Sequence, residues 1–499
     1  MLVPGFAGGI PPSFGPRKAG SLDFQSFLEM RGQECDTDRM ADLGSNELQQ
    51  PDHSATPTGT GLTLFQAFLN NIADAGRELL ESRDKRARSN IVTLCNDLLS
   101  QKGEALGTAL ARELVLRYTS LTPAKQLDFF RMLRAKFDVD HAAIRHAIEA
   151  YQANSTTENA QSLSNASEGK RRKLLCAINL APGGTSVLIR MREDLQRLLC
   201  EEPELAPVDA DFLTTLSAWF NRGFLELQRI DWGTPAKILE KLIQYEAVHA
   251  IRGWEDLRRR LEADRRCYAF FHPALPYEPL IFVEVALTTG LAASIQTLLD
   301  DKREPGEPTQ ADTAIFYSIS NCQDGLRGIS FGNFLIKQVV SDLQAELPRL
   351  KAFATLSPIP DFGHWLGRIR SSGQFPKGFT LSDRQALSCL DRANWHTNPR
   401  LVQRLKNPLM SLAAHFLLNM KQENRPMDSV ARFHLGNGAR IERLNWLADV
   451  SKQGIEESAG LMANYLYDVR RIERYHEAYA NVGMIACSRA VSSLAPRSS

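Results

Sequence analysis

Four hundred and ninety-nine residues exceed what a single hydrophobic core organises, so about two to four domains are expected. The chain is 43% hydrophobic and 23% charged, which places it among folded globular proteins and away from disordered or fibrous classes. Fifty-nine basic residues against 58 acidic ones leave a formal charge of +1; this argues against a generic polyanion surface, and nucleic acid is not an expected partner.

The eight cysteines (Cys35, Cys95, Cys176, Cys200, Cys267, Cys322, Cys389 and Cys487) are scattered without a CxxC pair, which predicts a reduced, cytoplasmic chain with no structural zinc. The most apolar run, 280–287, is interrupted by Glu284 and falls far short of the ~20 residues that cross a bilayer, so no membrane partner is expected. An early Pro-Gly cluster stands where a charged n-region and a long apolar h-region would mark a signal peptide, and the terminal Pro-Arg-Ser-Ser is not a peroxisomal address.

In chain order, residues 1–60 are rich in Gly, Pro, Ser and Asp and read as a mobile leader. From 61 to 208 the segments NIVTLCNDLLSQ, GTALARELVLRYTSL, AKQLDFFRMLRAKF and HAAIRHAIEAYQ repeat apolar residues at three- and four-residue intervals, predicting an all-helical domain. Thr122-Pro123 is a helix start, with Thr122 as cap and Pro123 in the first turn. The polar stretch 154–170 reads as a surface loop. MREDLQRLLCEE, DADFLTTLSAWFNRGFLEL and PAKILEKLIQYEAVHA continue the helical pattern. The period then falls towards two in CYAFFHP, PLIFVEVALT and TAIFYSIS, which predicts buried strands in a mixed α/β domain over 209–499.

The segment 313–347 is the first with a specific signal: an apolar strand ending near Ser320, a turn NCQDGLRGISFGN with three glycines, and a helix. Such a junction presents unpaired backbone N–H groups with the helix dipole behind them, which suits a phosphate, although a tight turn needs the same glycines for geometry alone. Neither G-x-G-x-x-G nor G-x-x-x-x-G-K-[ST] is present. Residues 327–332, RGISFG, are similar to the Q/R-x-x-G-x-G/A pyrophosphate motif of GNAT-fold acyl-CoA enzymes, with Ser330 in place of the first glycine.

A longer pattern is more specific. AIFYSISNCQDGLRGISFGNFLIKQVV, ATLSPIPDFGHWL, ARFHLGNGARIERLNWLADVS and GLMANYLYD, in that order, resemble the malonyl-CoA decarboxylase family, and the resemblance extends over residues 90–480, taking in FDVDHAAI and LSAWFNRGFLELQRIDW. It implies an N-terminal all-helical bundle followed by a GNAT-like mixed α/β catalytic domain. It also implies conversion of malonyl-CoA to acetyl-CoA and carbon dioxide, and a homotetramer built as a dimer of dimers.

Breaking the bond between a carboxylate and an α-carbon leaves an electron pair that a thioester can hold as an enolate. The site must therefore stabilise the enolate oxygen and then protonate carbon, with no cofactor or metal required. Of the ten histidines, His434 sits where a short apolar strand is expected to run into the Asn437-Gly438 turn. Its residue type alone fits a hydrogen-bonded core histidine as well as an acid. Ser357 lies in TLSPIP, where Pro358 holds it extended, and no G-x-S-x-G elbow marks it as a nucleophile. The family resemblance makes His434 and Ser357 the catalytic pair; the family's usual glycine after Pro360 is Asp361 here.

By the same resemblance Arg327, Gly328, Ile329, Ser330, Phe331, Gly332 and Asn333 hold the CoA pyrophosphate. Ser318 and Ser320 share one strand face, turned either to the thioester or to a neighbouring strand, and Tyr467 is a candidate donor near the histidine. Asn437 is a turn residue or an oxyanion donor, and Cys322 has nothing nearby in sequence to lower its pKa. The other readings are a GNAT-type acyltransferase, which needs an acceptor, and a non-catalytic CoA-binding scaffold.

Overall fold

The computed structural model describes residues 68, 70–76, 90–101, 103–329 and 334–496, so the expected leader lies outside the described residues. Its first part is helical: Ile91–Ser100, Glu104–Thr119, Pro123–Lys136, His141–Ala153, Thr157–Ser167, Lys170–Ile178, Gly184–Leu198 and Ala206–Trp219 follow one another. Local chemistry sets several starts. Asn90 accepts from the Val92 amide and Asp140 from the amides of Ala142 and Ala143, each satisfying helix-end donors. Pro123 opens its helix as expected and Thr122 is the residue before it, but the Thr122 side chain makes no capping bond.

The stretch read as a loop, 154–170, instead contains the helix Thr157–Ser167. Thr156 caps it through the Asn159 amide, and Asn159 Nδ2 returns to the carbonyls of Ala150 and Asn154. It buries no residue, so an apolar stripe could not betray it.

The second part is built on an eight-stranded sheet in the order β1 (Glu226–Ile230), β2 (Arg265–Phe271), β3 (Ile281–Thr288), β4 (Thr313–Asn321), β5 (Ala352–Thr355), β10 (Met462–Leu466) and β6 (Ser357–Pro358). A further strand, β9 (Arg440–Asn445), pairs with β10. A small separate ribbon joins β7 (Lys421–Gln422) to β8 (Arg425–Pro426). All pairs are antiparallel except β4 and β5, which the helix Phe334–Glu346 connects. The fold class is thus helical, then mixed α/β, as expected. The helical reading of 209–227 runs too far, because the helix ends at Trp219 and β1 forms the sheet edge. The junction expected at 208/209 falls inside that last helix, whose Phe212 and Leu216 pack in one continuous core with Phe270, Val283 and Phe316.

The two sheet faces differ. One carries Phe270, Val283, Phe316, Ile359, Tyr465 and Tyr467 against the helices of both parts. On the other, Cys267, Ala269 and Phe282 pack against Ile238, Leu239 and Leu242 of the helix Ala236–Tyr245. The β3–β4 register shifts so that Glu284 faces Ser318 and Val285 faces Phe316, leaving Tyr317 as an extra residue. Beyond this bulge Ser318 and Ser320 turn to the second face, while Ile319 packs on the first.

Candidate active site

His434 does not end a strand. It lies in the last turn of the helix Ser429–Gly436, where Ala431, His434 and Leu435 are buried at helical spacing. Asp428 starts this helix by accepting from the Ala431 amide at 2.8 Å, an N-cap that outweighs the strand-like look of ARFHL. Asn437 closes it, its amide N–H bonding the Phe433 and His434 carbonyls and its Nδ2 bonding the Phe433 carbonyl at 2.7 Å. It therefore acts as a turn residue. Gly438 has φ 81°, and a Cβ there would come within 2.2 Å of the Ile472 carbonyl oxygen, so only glycine carries the chain from the helix into β9.

Ser357 stands in β6, its backbone opposite Ala463 of β10 and its extended conformation agreeing with the proline that follows. Asp361, the departure from the family pattern, ties this strand's exit to the histidine helix. Its Oδ2 accepts from the Ser429 amide at 2.9 Å and hydroxyl at 3.1 Å, while its own amide donates to Asp428 Oδ2 at 3.3 Å. Tyr467 follows β10, where its amide donates to the Phe353 carbonyl.

These elements bring three of the expected residues into one chain. Ser357 Oγ is 3.0 Å from His434 Nε2, and His434 Nδ1 is 2.7 Å from the Tyr467 hydroxyl. Ser357 Oγ also donates to Thr355 Oγ1 at 2.8 Å, and Thr355 Oγ1 accepts in addition from the Tyr465 amide at 3.2 Å. Because the single serine proton is spent on Thr355, Nε2 must carry the imidazole hydrogen and Nδ1 must accept from Tyr467. The result is a directed row of donors: Tyr467 to His434, His434 to Ser357, Ser357 to Thr355. The Tyr465 ring stacks on the imidazole with centroids 4.6 Å apart.

The row itself is buried and has no charged member. His434 is 3% exposed, and burial pushes its pKa down to about 3, so the imidazole is neutral. Burial likewise raises the phenols of Tyr465 and Tyr467. The fully buried Asp428 carboxyl is pushed up to about 7 by desolvation, against the pull of the two amides it accepts from. Thr355 was not singled out in the sequence, yet T-x-S places its hydroxyl on the same strand face as Ser357, a spacing that could have found it.

Ser318 and Ser320 are not brought to this chain. Both bond the buried Glu246 carboxylate on the opposite sheet face: Ser318 Oγ lies 2.7 and 2.8 Å from its two oxygens, and Ser320 Oγ 3.1 Å from one. The sequence alternation could not tell which face the bulge would give them. Burial drives the Cys322 thiol upward, leaving it unreactive. Of the glycine-turn residues, Arg327 is exposed, 3.9 Å from Asp324; Gly328 adopts φ 84°, and Ile329 is buried. Ser330, Phe331, Gly332 and Asn333 lie outside the described residues. The turn follows β4, and only β5 separates β4 from β10, the strand that leads to Tyr467; Phe316 of β4 touches the Tyr467 ring edge-on at 6.3 Å.

Comparison with known proteins converges on one family. The family model "malonyl-CoA decarboxylase C-terminal domain" matches residues 223–498, and the corresponding N-terminal domain model matches 137–220. Malonyl-CoA decarboxylase, mitochondrial, of Mus musculus is 35% identical over 428 residues, covering 79% of this chain and 87% of that protein. Its counterpart from Anser anser anser is 39% identical over 345 residues, covering 64% and 68%. The solved malonyl-CoA decarboxylase of Agrobacterium vitis is 51% identical with a TM-score of 0.78, covering 82% of this chain and all of that one. That of Rhodopseudomonas palustris is 50% identical with a TM-score of 0.78, covering 81% and 98%.

Proposed function

The chain belongs to the malonyl-CoA decarboxylase family, and from that premise we propose that it converts malonyl-CoA to acetyl-CoA and carbon dioxide through a thioester enolate protonated by the Ser357–His434 pair. The observation that carries this reading is the uncharged donor row ending in Ser357. The bond between the malonyl carboxylate carbon and the α-carbon breaks, carbon dioxide leaves, and the electron pair passes into the thioester as an enolate. The Ser357 hydroxyl proton goes to the α-carbon, the Nε2 hydrogen of His434 replaces it, and the Tyr467 proton moves onto Nδ1; solvent later returns one proton to the row.

A neutral imidazole is competent for this step. The carbanion is a far stronger base than imidazole, so no imidazolium is needed, and a buried positive charge would be costly to maintain. The backbone of 327–333 is assigned to the CoA pyrophosphate, with the exposed Arg327 side chain exchanging its loose 3.9 Å pairing with Asp324 for a phosphate oxygen. We extend the same reading to a homotetramer and to cytoplasmic residence.

The test is incubation of the purified protein with malonyl-CoA, without any acceptor, in deuterated water. Acetyl-CoA carrying one deuterium in its methyl group, released with carbon dioxide, supports the proposal. Turnover only when an acceptor amine is added would instead favour an acyltransferase.

A further inference from the structure

The helical part holds one buried cation whose partners lie in the glycine turn. Arg192, on the helix Gly184–Leu198, is 2% exposed. Its Nη1 donates to the carbonyls of Gly325 at 2.9 Å and Arg327 at 2.8 Å, and its Nε donates to Asp209 Oδ1 at 2.8 Å. One turn further along the same helix, the Gln196 amide lies 3.1 Å from both Arg192 Nη2 and the Asp324 carbonyl, and the orientation that satisfies both neighbours has its oxygen accepting from Arg192 and its nitrogen donating to Asp324. The contact is close enough to dictate residue type: a Cβ on Gly325 would sit 2.0 Å from the Ile189 carbonyl oxygen.

Ile189, Arg192 and Gln196 thus form one helix face that grips the backbone of 324–327. We infer that Arg192 is a positioning residue for the nucleotide end of the substrate: it fixes the turn that leads into the pyrophosphate cradle, so the helical part sets affinity for the CoA moiety without touching the reacting atoms. This rests on the reading of 327–333 as that cradle. The electrostatic logic is direct. Peptide carbonyls facing a pyrophosphate would repel it, and Arg192 draws the carbonyls of 325 and 327 towards itself, where a guanidinium satisfies them. Asp209 balances the buried charge, so the cation is neither free to swing into the site nor left unpaired.

Steady-state turnover of malonyl-CoA and of malonyl-pantetheine, which keeps the thioester but lacks the nucleotide, separates positioning from general damage. For Arg192→Met, kcat/KM for malonyl-CoA should fall about tenfold or more, chiefly through KM, while kcat/KM for malonyl-pantetheine stays within about twofold of wild type. Arg192→Lys, which keeps the charge but loses the fork, should recover part of the loss. Gln196→Leu, at a half-buried position, should show the same selectivity at smaller size and serves if Arg192→Met does not fold. Equal losses on both substrates, or no loss on either, would overturn the assignment. A wild-type enzyme that handles the two substrates equally well would sink the cradle reading itself and this inference with it.

Discussion

The two faces of the central sheet each bury serine hydroxyls beside a histidine-bearing or acidic partner, yet they are built for opposite ends. Behind the sheet, Glu246 accepts from Ser318, Ser320 and the amides of Val248 and His249, while Arg260 pairs with Glu284 at 2.8 Å. Every serine proton there is drawn to a fixed carboxylate, and none can be handed on. On the other face Ser357 stands in a row with no charged member, shared between His434 and Thr355. A hydroxyl whose two neighbours are neutral can reverse its bond at little cost, which is the property a proton relay needs. A buried serine is therefore informative only together with the charge of what it bonds.

The largest effect expected from breaking this contrast is on the relay face. His434→Asn should lower kcat by about 10²-fold or more, the loss typical of a missing general acid, with the Kd for CoA nearly unchanged by calorimetry. The same substitution should alter acid stability. The imidazole titrates near 6.5 when unfolded and about 3 when folded, so its contribution is full above pH 6.5 and is lost as pH falls towards 3. Urea unfolding at a series of pH values should show a shallower acid-side decline in His434→Asn than in the parent.

Behind the sheet the effect should be on stability alone. Glu284→Ala takes from the buried Arg260 guanidinium its closest carboxylate and leaves it Asp256 at 3.5 Å and the carbonyls of His249 and Ala250, so the cost should stay below the about 3–5 kcal/mol of a fully broken buried pair, readable as a lower urea midpoint. The kcat per folded molecule should stay within about twofold of wild type. A Glu284→Ala enzyme that is stable but slow would mean that the faces are coupled and would break the comparison. Tyr467→Phe then sharpens it at smaller size: Nδ1 loses its donor, and kcat should drop about tenfold in single-turnover measurement with binding intact.

How much of this was legible in the sequence depends on the range of the interaction that decides each feature. The strands 265–271, 281–288 and 313–321 were readable because β-branched and aromatic runs announce themselves locally. The pair His434 and Ser357 came from a motif-level resemblance, and Tyr467 from the separate segment GLMANYLYD as a candidate donor. The helix that carries His434 was misread as a strand because its start depends on Asp428, whose carboxyl also bonds the Asp361 amide, a contact spanning 67 residues. The face chosen by Ser318 and Ser320 was hidden for a related reason: it follows from a bulge against β3 and from Glu246, more than seventy residues earlier in the chain. The grip of Arg192 on 325–327 crosses 133 to 135 residues and left no local trace.

The smallest expected effect tests the direction of the relay. Thr355→Val keeps the shape of the side chain but deletes the acceptor to which Ser357 donates and to which the Tyr465 amide also points. The serine hydrogen should then turn to His434 Nε2, which forces the imidazole hydrogen onto Nδ1 and reverses the bond to Tyr467. In the reversed row the serine still offers a proton to carbon, but Nε2 no longer carries one to replace it, so kcat should fall by only about threefold to fivefold while its solvent isotope effect rises. Nitrogen NMR of the labelled imidazole reads the switch directly: an Nε2–H tautomer in the parent and an Nδ1–H tautomer in Thr355→Val. The same tautomer in both proteins would show that Thr355 merely packs, and that the direction of proton flow is fixed by Tyr467 alone.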